Sequence, residues 1–149
     1  MRSRTLQSVV FFAALIALLV LVRSWGGGAA PRPARFEAGL TLASAESVAA
    51  ERGGVVMVVA TADWCGPCQS LKRGALADEG VAGWVRQHAA PVYLDLTAPG
   101  PEERAAAGRL GIGPIPAVIL LRDGQEIART VGATPPQRLL RWLEAAAGS

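Results

Sequence analysis

Residues 9–22, VVFFAALIALLVLV, carry no polar side chain, and the wider apolar run opens at Leu6 and closes at Val22. At 1.5 Å per residue these positions span roughly 25 Å as a helix, the short limit for crossing a bilayer. Beyond residue 35 the pattern changes to short blocks. Phe36 to Leu42 reads as a short edge strand. Ser44 is placed to cap a helix running to Arg52, with Glu46 in its first turn and Gly53-Gly54 past its end. Val55 to Ala60, VVMVVA, is an unbroken and mostly β-branched apolar run, the mark of a strand buried on both faces. A helix from Cys65 to Leu76 should follow, then a second from Asp78 to His88 with Val81, Trp84 and Val85 at i, i+3 and i+4.

Val92 to Leu96 is the next buried strand. Pro101 to Leu110 reads as a helix with Pro101 at its first position and Glu102 and Glu103 near the positive end of its dipole. Ala117 to Leu121 and Glu126 to Val131 flank Asp123-Gly124, a hairpin signal. Thr134 and Pro135 open a last helix, whose Leu139, Leu140 and Leu143 form the inward stripe. Strands and helices that alternate and end in a hairpin and helix predict an α/β fold: a central mixed sheet with helices on both faces. The expected division is residues 1–25 as signal anchor or signal peptide, 26–35 as a Gly/Pro-rich tether, and 36–149 as the domain.

Composition narrows the function. The formal charge of the 149 residues is +3, but residues 1–30 hold Arg2, Arg4 and Arg23 and no acid, so the remainder is neutral. A neutral domain lacks the concentrated basic face that nucleic acid requires. The apolar fraction of 51% excludes disorder, and two cysteines exclude a disulfide-stapled miniprotein. For the N-terminus, a cleaved signal peptide and a retained anchor both fit. Ala29-Ala30 offers small residues for cleavage, whereas Pro31 just after the cut and Arg23 against the apolar run favour the anchor. Arg2, Arg4 and the amino terminus nearly balance Arg23, Arg32 and Arg35. A short tail ahead of a first apolar segment ordinarily stays inside, which places the domain outside the cytoplasm.

The chemistry centres on Trp64-Cys65-Gly66-Pro67-Cys68, directly after a buried strand and at a helix start. There the free backbone N–H groups and the dipole favour a thiolate at Cys65. Two intervening residues bring the second sulfur within disulfide reach across one turn, and Pro67 has a φ preset for that turn. Cys65 then attacks and Cys68 resolves the mixed disulfide. Structural zinc calls for four ligands, and apart from the cysteines the chain has one histidine, His88, far from them in sequence. A purely structural disulfide closing so short a loop removes little chain entropy. Cu(I) held by two thiolates is a further alternative.

These residues resemble the thioredoxin family. Ala62-Asp63-Trp64-Cys65-Gly66-Pro67-Cys68 is similar to its active-site motif, Gly113-Pro114-Ile115-Pro116 to its cis-proline loop, and Asp123-Gly124-Gln125-Glu126 with Val131-Gly132 to the hairpin that follows. The resemblance spans about 36–147 and implies a thioredoxin-like three-layer fold. Leu76 to Leu96 is also similar to thiol-reductase domains of the bacterial periplasm, including the C-terminal domain of a transmembrane reductase. The resemblance implies that Pro116 shapes a substrate groove, that the Ile115 backbone pairs with an extended target segment, and that Trp64 is an apolar lid over the cysteines. The chain departs from the family at Val59, where many members have a buried aspartate, at Tyr93, where the accompanying lysine falls, and at Thr61, in place of an aromatic. Deprotonation of Cys68 is thereby left to water, Asp63 or the substrate, and Thr61 is expected to open one flank of the groove.

The expected function is thiol–disulfide oxidoreduction, with the direction implied by Gly66-Pro67, a dipeptide that accompanies low-potential reductases in the family. The expected setting is the inner membrane, held by residues 6–22, with the domain facing the periplasm and a monomer acting on disulfides of exported proteins. No cofactor beyond the cysteines is implied, and no NADPH or flavin fingerprint is present, so a membrane electron donor is the expected partner. An oxidant or isomerase, a Cu(I)-binding module and a non-catalytic adaptor of the same fold are the alternatives. Against copper, no methionine or histidine is near the cysteines, Met57 falling inside a buried strand; against the adaptor, both cysteines and Pro116 are present together.

Overall fold

A strand that is apolar throughout needs cover on both faces, and Val55–Thr61 (β1), buried along its whole length, receives it. The computed structural model describes residues 2–25, 28–36 and 39–148. Arg2–Trp25 is α1, Leu42–Arg52 is α2 and Gly66–Arg73 is α3, followed by Glu79–His88 (α4), Ala89–Asp95 (β2) and Pro101–Arg109 (α5). Ala117–Arg122 (β3), Gln125–Val131 (β4) and Pro136–Ala147 (α6) complete the chain, with 3₁₀ turns at Ala34–Phe36 and Ala75–Ala77. The four strands form one mixed sheet in the order β2-β1-β3-β4, parallel between β1 and β2 and antiparallel elsewhere.

Alternation along β1 divides the core into two layers. Val55, Met57 and Val59 face Leu71 of α3, Val81, Trp84 and Val85 of α4, and Leu139 and Leu143 of α6. Val56, Val58 and Ala60 face Ala45 and Ala49 of α2 and Leu110 beyond α5. The thioredoxin-like α/β arrangement of a mixed sheet between helical layers is therefore present.

Several boundaries move for physical reasons. No edge strand occupies the described part of 36–42; Glu37 and Ala38 lie outside the described residues. Phe36 instead ends a 3₁₀ turn and is buried, its ring edge-on to Tyr93 at 6.0 Å. Thr41 rather than Ser44 caps α2: its Oγ1 accepts from the Ser44 N–H at 3.2 Å, and the earlier start carries Leu42 into the core. The helix after the cysteines stops at Arg73 because the chain breaks at Gly74, where a Cβ would lie 2.9 Å from the Ser70 carbonyl oxygen. The following turn buries Ala75 and Leu76. β2 starts at Ala89, three residues earlier than the apolar run implied, because the parallel register pairs Val55 with Ala89. Pro91 is accommodated because β2 is an edge strand. The last helix is capped by Pro135, and Thr134 Oγ1 is bonded to the Gly132 carbonyl.

The expected apolar N-terminal segment is helical, and its described side chains, residues 10–21, are exposed, with Phe11 at 66% and Val20 at 63%. The side chains of 2–9 and 22–25, Arg2, Arg4 and Arg23 among them, lie outside the description. Among the described residues no helix is long and apolar enough to cross a membrane. Of the expected tether, Gly26 and Gly27 lie outside the described residues. From Gly28 onward the segment rests on the domain: the Gly28 carbonyl accepts from Arg73, Ala30 N–H donates to Gln69 Oε1, and the Arg32 guanidinium sits 4.7 Å from the Tyr93 ring centre.

Candidate active site

Strand β1 ends at Thr61, and the chain turns through Ala62–Trp64 into α3. Cys65 is the N-cap of that helix in extended conformation, and its Sγ accepts from the Cys68 N–H at 3.2 Å. Cys65 and Cys68 are joined as a disulfide. A helix N-terminus presents unpaired N–H groups and a positive dipole end, so once the bond is reduced the same N–H stabilises negative charge at Cys65. Pro67 occupies the first turn, where its missing N–H is not needed. Gly66 has open space where a Cβ would be, so sterics alone do not demand glycine there.

The two sulfurs differ in access. Cys65 is 7% exposed and Cys68 fully buried, and both pack against Ala62, Leu96 and Ile115. The Ile115–Pro116 peptide is cis, with Pro116 buried. The Ile115 carbonyl oxygen lies 3.8 Å from Cys65 Sγ. A disulfide sulfur carries no proton, so this is a contact in the oxidised form and becomes available to a thiol S–H on reduction. Gly132 N–H donates to the Pro116 carbonyl at 2.8 Å and anchors the loop to the end of β4.

Trp64 is 69% exposed, and the buried and half-buried apolar side chains against the sulfurs are those of Ala62, Leu96 and Ile115. The expectation that Thr61 opens a flank of the groove is also corrected. Thr61 is fully buried, and its hydroxyl has no hydrogen-bond partner among the described residues. Val59 is buried and pairs with Tyr93 across β1 and β2, so the two departures from the family pattern are neighbours.

Three polar residues outside the motif, Gln69, Lys72 and Thr97, hold the loop together with Asp63. Gln69 Nε2 donates to the carbonyls of Ala62 and Asp63, and Asp63 N–H donates to Thr97 Oγ1 at 2.8 Å. Lys72, 3% exposed, places Nζ 2.9 Å from Asp63 Oδ1. Burial alone would lower the Lys72 pKa, but hydrogen bonding to Asp63 and Tyr93 and the charge of the Asp63 carboxylate outweigh it and hold the ammonium above its ordinary range. The available signal for Lys72 was spacing: it stands at i+4 from Cys68, on the helix face that must be buried. Among the described residues no three His, Cys, Asp or Glu side chains come together as a metal site.

The thioredoxin-like domain family model matches residues 42–147. The chain belongs to the thioredoxin-like domain family. Thioredoxin of Chlamydia muridarum is 35% identical over 102 residues, covering 66% of this chain and 86% of that protein. Among solved structures, a DsbH oxidoreductase superposes with a TM-score of 0.66 at 16% identity, over 78% of this chain and 89% of that one. The C-terminal domain of Neisseria meningitidis DsbD in the oxidised form gives 0.60 at 23%, over 70% and 90%. This thioredoxin-like domain, with its Cys65–Cys68 disulfide at a helix start, is a disulfide oxidoreductase.

Proposed function

We propose that this thioredoxin-like chain is held at a membrane by residues 6–22 and reduces disulfides of exported proteins on the extracytoplasmic side. The observation that carries the chemistry is the placement of Cys65 at the cap of α3, against the carbonyl that precedes the cis proline. In the dithiol form, the Cys65 thiolate attacks a substrate disulfide R–S–S–R′, forming Cys65–S–S–R and releasing R′–S⁻. Cys68, as thiolate, then attacks Cys65 Sγ; R–S⁻ leaves and the Cys65–Cys68 bond forms. Two electrons pass to the substrate, and the two thiolates released take up the protons that the cysteines lost. Ile115 and Pro116 form the groove wall that an extended substrate segment lies along, and Trp64 offers an exposed apolar surface beside it.

Regeneration requires a dithiol donor, and a membrane electron carrier fits a domain tethered at that surface. The bare apolar side chains of α1 support the tether, and Gly66-Pro67 supports reduction as the direction. No cofactor beyond the two cysteines enters the scheme, and the chain acts as a monomer. The test is the reduction potential of the full chain in mild detergent, read by thiol trapping after equilibration with glutathione buffers. A value near −270 mV, roughly that of thioredoxin, makes it a reductase; one near −120 mV, roughly that of a strong periplasmic oxidant, reverses the flow. Stoichiometric Cu(I) uptake without exchange would favour a binding module instead. Protease cleavage of the domain in spheroplasts, with cytoplasmic proteins intact, tests its side of the membrane.

A further inference from the structure

Lys72 is the only lysine in the 149 residues; all fourteen other basic side chains are arginine. Among the described residues that single ammonium is also the buried basic group, 3% exposed, one helical turn beyond Cys68. Residues four apart on a helix share a face, with Cβ atoms roughly 5–6 Å apart. Its acidic partner, Asp63, is 44% exposed at the side chain, so water screens the carboxylate far more than the ammonium. The two charges therefore do not cancel at Cys68, and the surplus is positive. Val59, on β1, contributes no charge to oppose it.

We propose that Lys72 is the positioning residue that stabilises the Cys68 thiolate, the species that must form before the mixed disulfide can be resolved. A group with three N–H donors on a flexible stem can hold Asp63 and still respond when charge appears at the neighbouring sulfur. The ionisable groups around it are Asp63 from the turn after β1, Tyr93 from β2, Arg32 beyond the Tyr93 ring, and Arg35, Arg73 and Glu79 around the adjoining cavity. Arginines on that rim add to the positive field, and Glu79 opposes it from the surface. The role rests on the disulfide chemistry of this site and is independent of the direction in which electrons flow.

The test uses full chains in which Cys65→Ser leaves Cys68 as the sole thiol, titrated by thiolate absorbance. An opposite charge within about 4–6 Å shifts a pKa by one unit or more, and partial cancellation by Asp63 sets the lower end. Lys72→Met is expected to reduce the thiolate fraction of Cys68 at neutral pH about tenfold, and Asp63→Asn to increase it. Lys72→Arg should restore most of the loss. With both cysteines present, the glutathione equilibrium should move with the same opposite signs, since a stabilised thiolate favours the reduced form. A packing role would move both variants the same way.

Should Lys72→Met not fold, the lone lysine gives its own readout in the unsubstituted chain, labelled with ¹³C-lysine. Its Cε resonance should titrate with Cys68 in the reduced protein and lose that step in the oxidised one. Equal directions for Lys72→Met and Asp63→Asn, or a Cε resonance blind to the redox state, would overturn the proposal. Failure of disulfide exchange itself would leave these titrations readable, so the two readings fail separately.

Discussion

Phe36 lies six residues ahead of the segment matched by the family model, yet it is 2% exposed and its ring meets Tyr93 edge-on. If the folded unit includes it, Phe36→Ala should be costly. Burying a phenylalanine removes roughly 150–250 Å² from water, and Phe→Ala in a core costs about 3–5 kcal/mol once the cavity is counted. The edge-to-face pair with Tyr93 accounts for about 0.5–1.5 kcal/mol within that range. Because the 3₁₀ turn sits at the rim of the layer, it can settle partly inward, so we expect a loss of about 3 kcal/mol. For a domain of this size that corresponds to a fall in Tm of about 12 °C. The assay is urea unfolding of the full chain in mild detergent, followed by tryptophan fluorescence from buried Trp84. The exposed Arg35→Ala, one residue away, should lie within about 0.5 kcal/mol of the unsubstituted chain. A loss under about 1 kcal/mol for Phe36→Ala, with the urea slope unchanged, would refute the argument and place the start of the cooperative unit near Leu42.

Cys68→Ser should leave Cys65 able to attack but unable to be released, so a one-to-one disulfide-linked adduct with substrate should accumulate, visible on a non-reducing gel. Cys65→Ser should abolish turnover, and retained disulfide reduction in that variant would contradict the assigned roles. Thr61→Val removes a buried hydroxyl without a partner among the described residues and keeps its shape, so the chain should gain about 1 kcal/mol in urea unfolding. The folded pKa of Lys72 is raised above 10.5, so its stabilising contribution is fully present below that value and is lost as pH rises through the folded one. The stability gap between the unsubstituted chain and Lys72→Met should therefore hold across neutral pH and narrow only in strong alkali. Arg129 depresses the pKa of Glu126, chiefly by hydrogen bonding, so that pair contributes above the ordinary carboxylate range and is lost on acidification. Glu126→Gln should converge on the unsubstituted chain as pH falls through the depressed Glu126 pKa, by well under 1 kcal/mol, since the pair is exposed.

Much of this fold could be read from local pattern. The unbroken run at Val55–Ala60, the Asp123-Gly124 turn and the leucines of the last helix each carry their own periodicity or turn chemistry, and each element lies within a residue or two of where that pattern puts it. The errors cluster where local pattern and tertiary demand compete. Phe36 to Leu42 alternates like a strand, but burial of Phe36 against Tyr93 and of Leu42 under the sheet draws the chain into two turns of different kinds. Ala89 and Ala90 give no strand signal by themselves, and they pair because β1 extends that far beside them.

The active site divides in the same way. Cys65, Cys68 and the cap that joins them are neighbours in the chain, and their relation to one another follows from helix geometry, which any local stretch of sequence carries. The placement of Ile115 against Cys65, fifty residues away, is a product of the sheet order that sets β3 beside β1. The pairing of Lys72 with Asp63 beside Tyr93 likewise needs helix, loop and edge strand to be packed first. A lysine at i+4 from a cysteine has no fixed meaning in a sequence, because its charge acquires strength only when neighbouring elements exclude water from it.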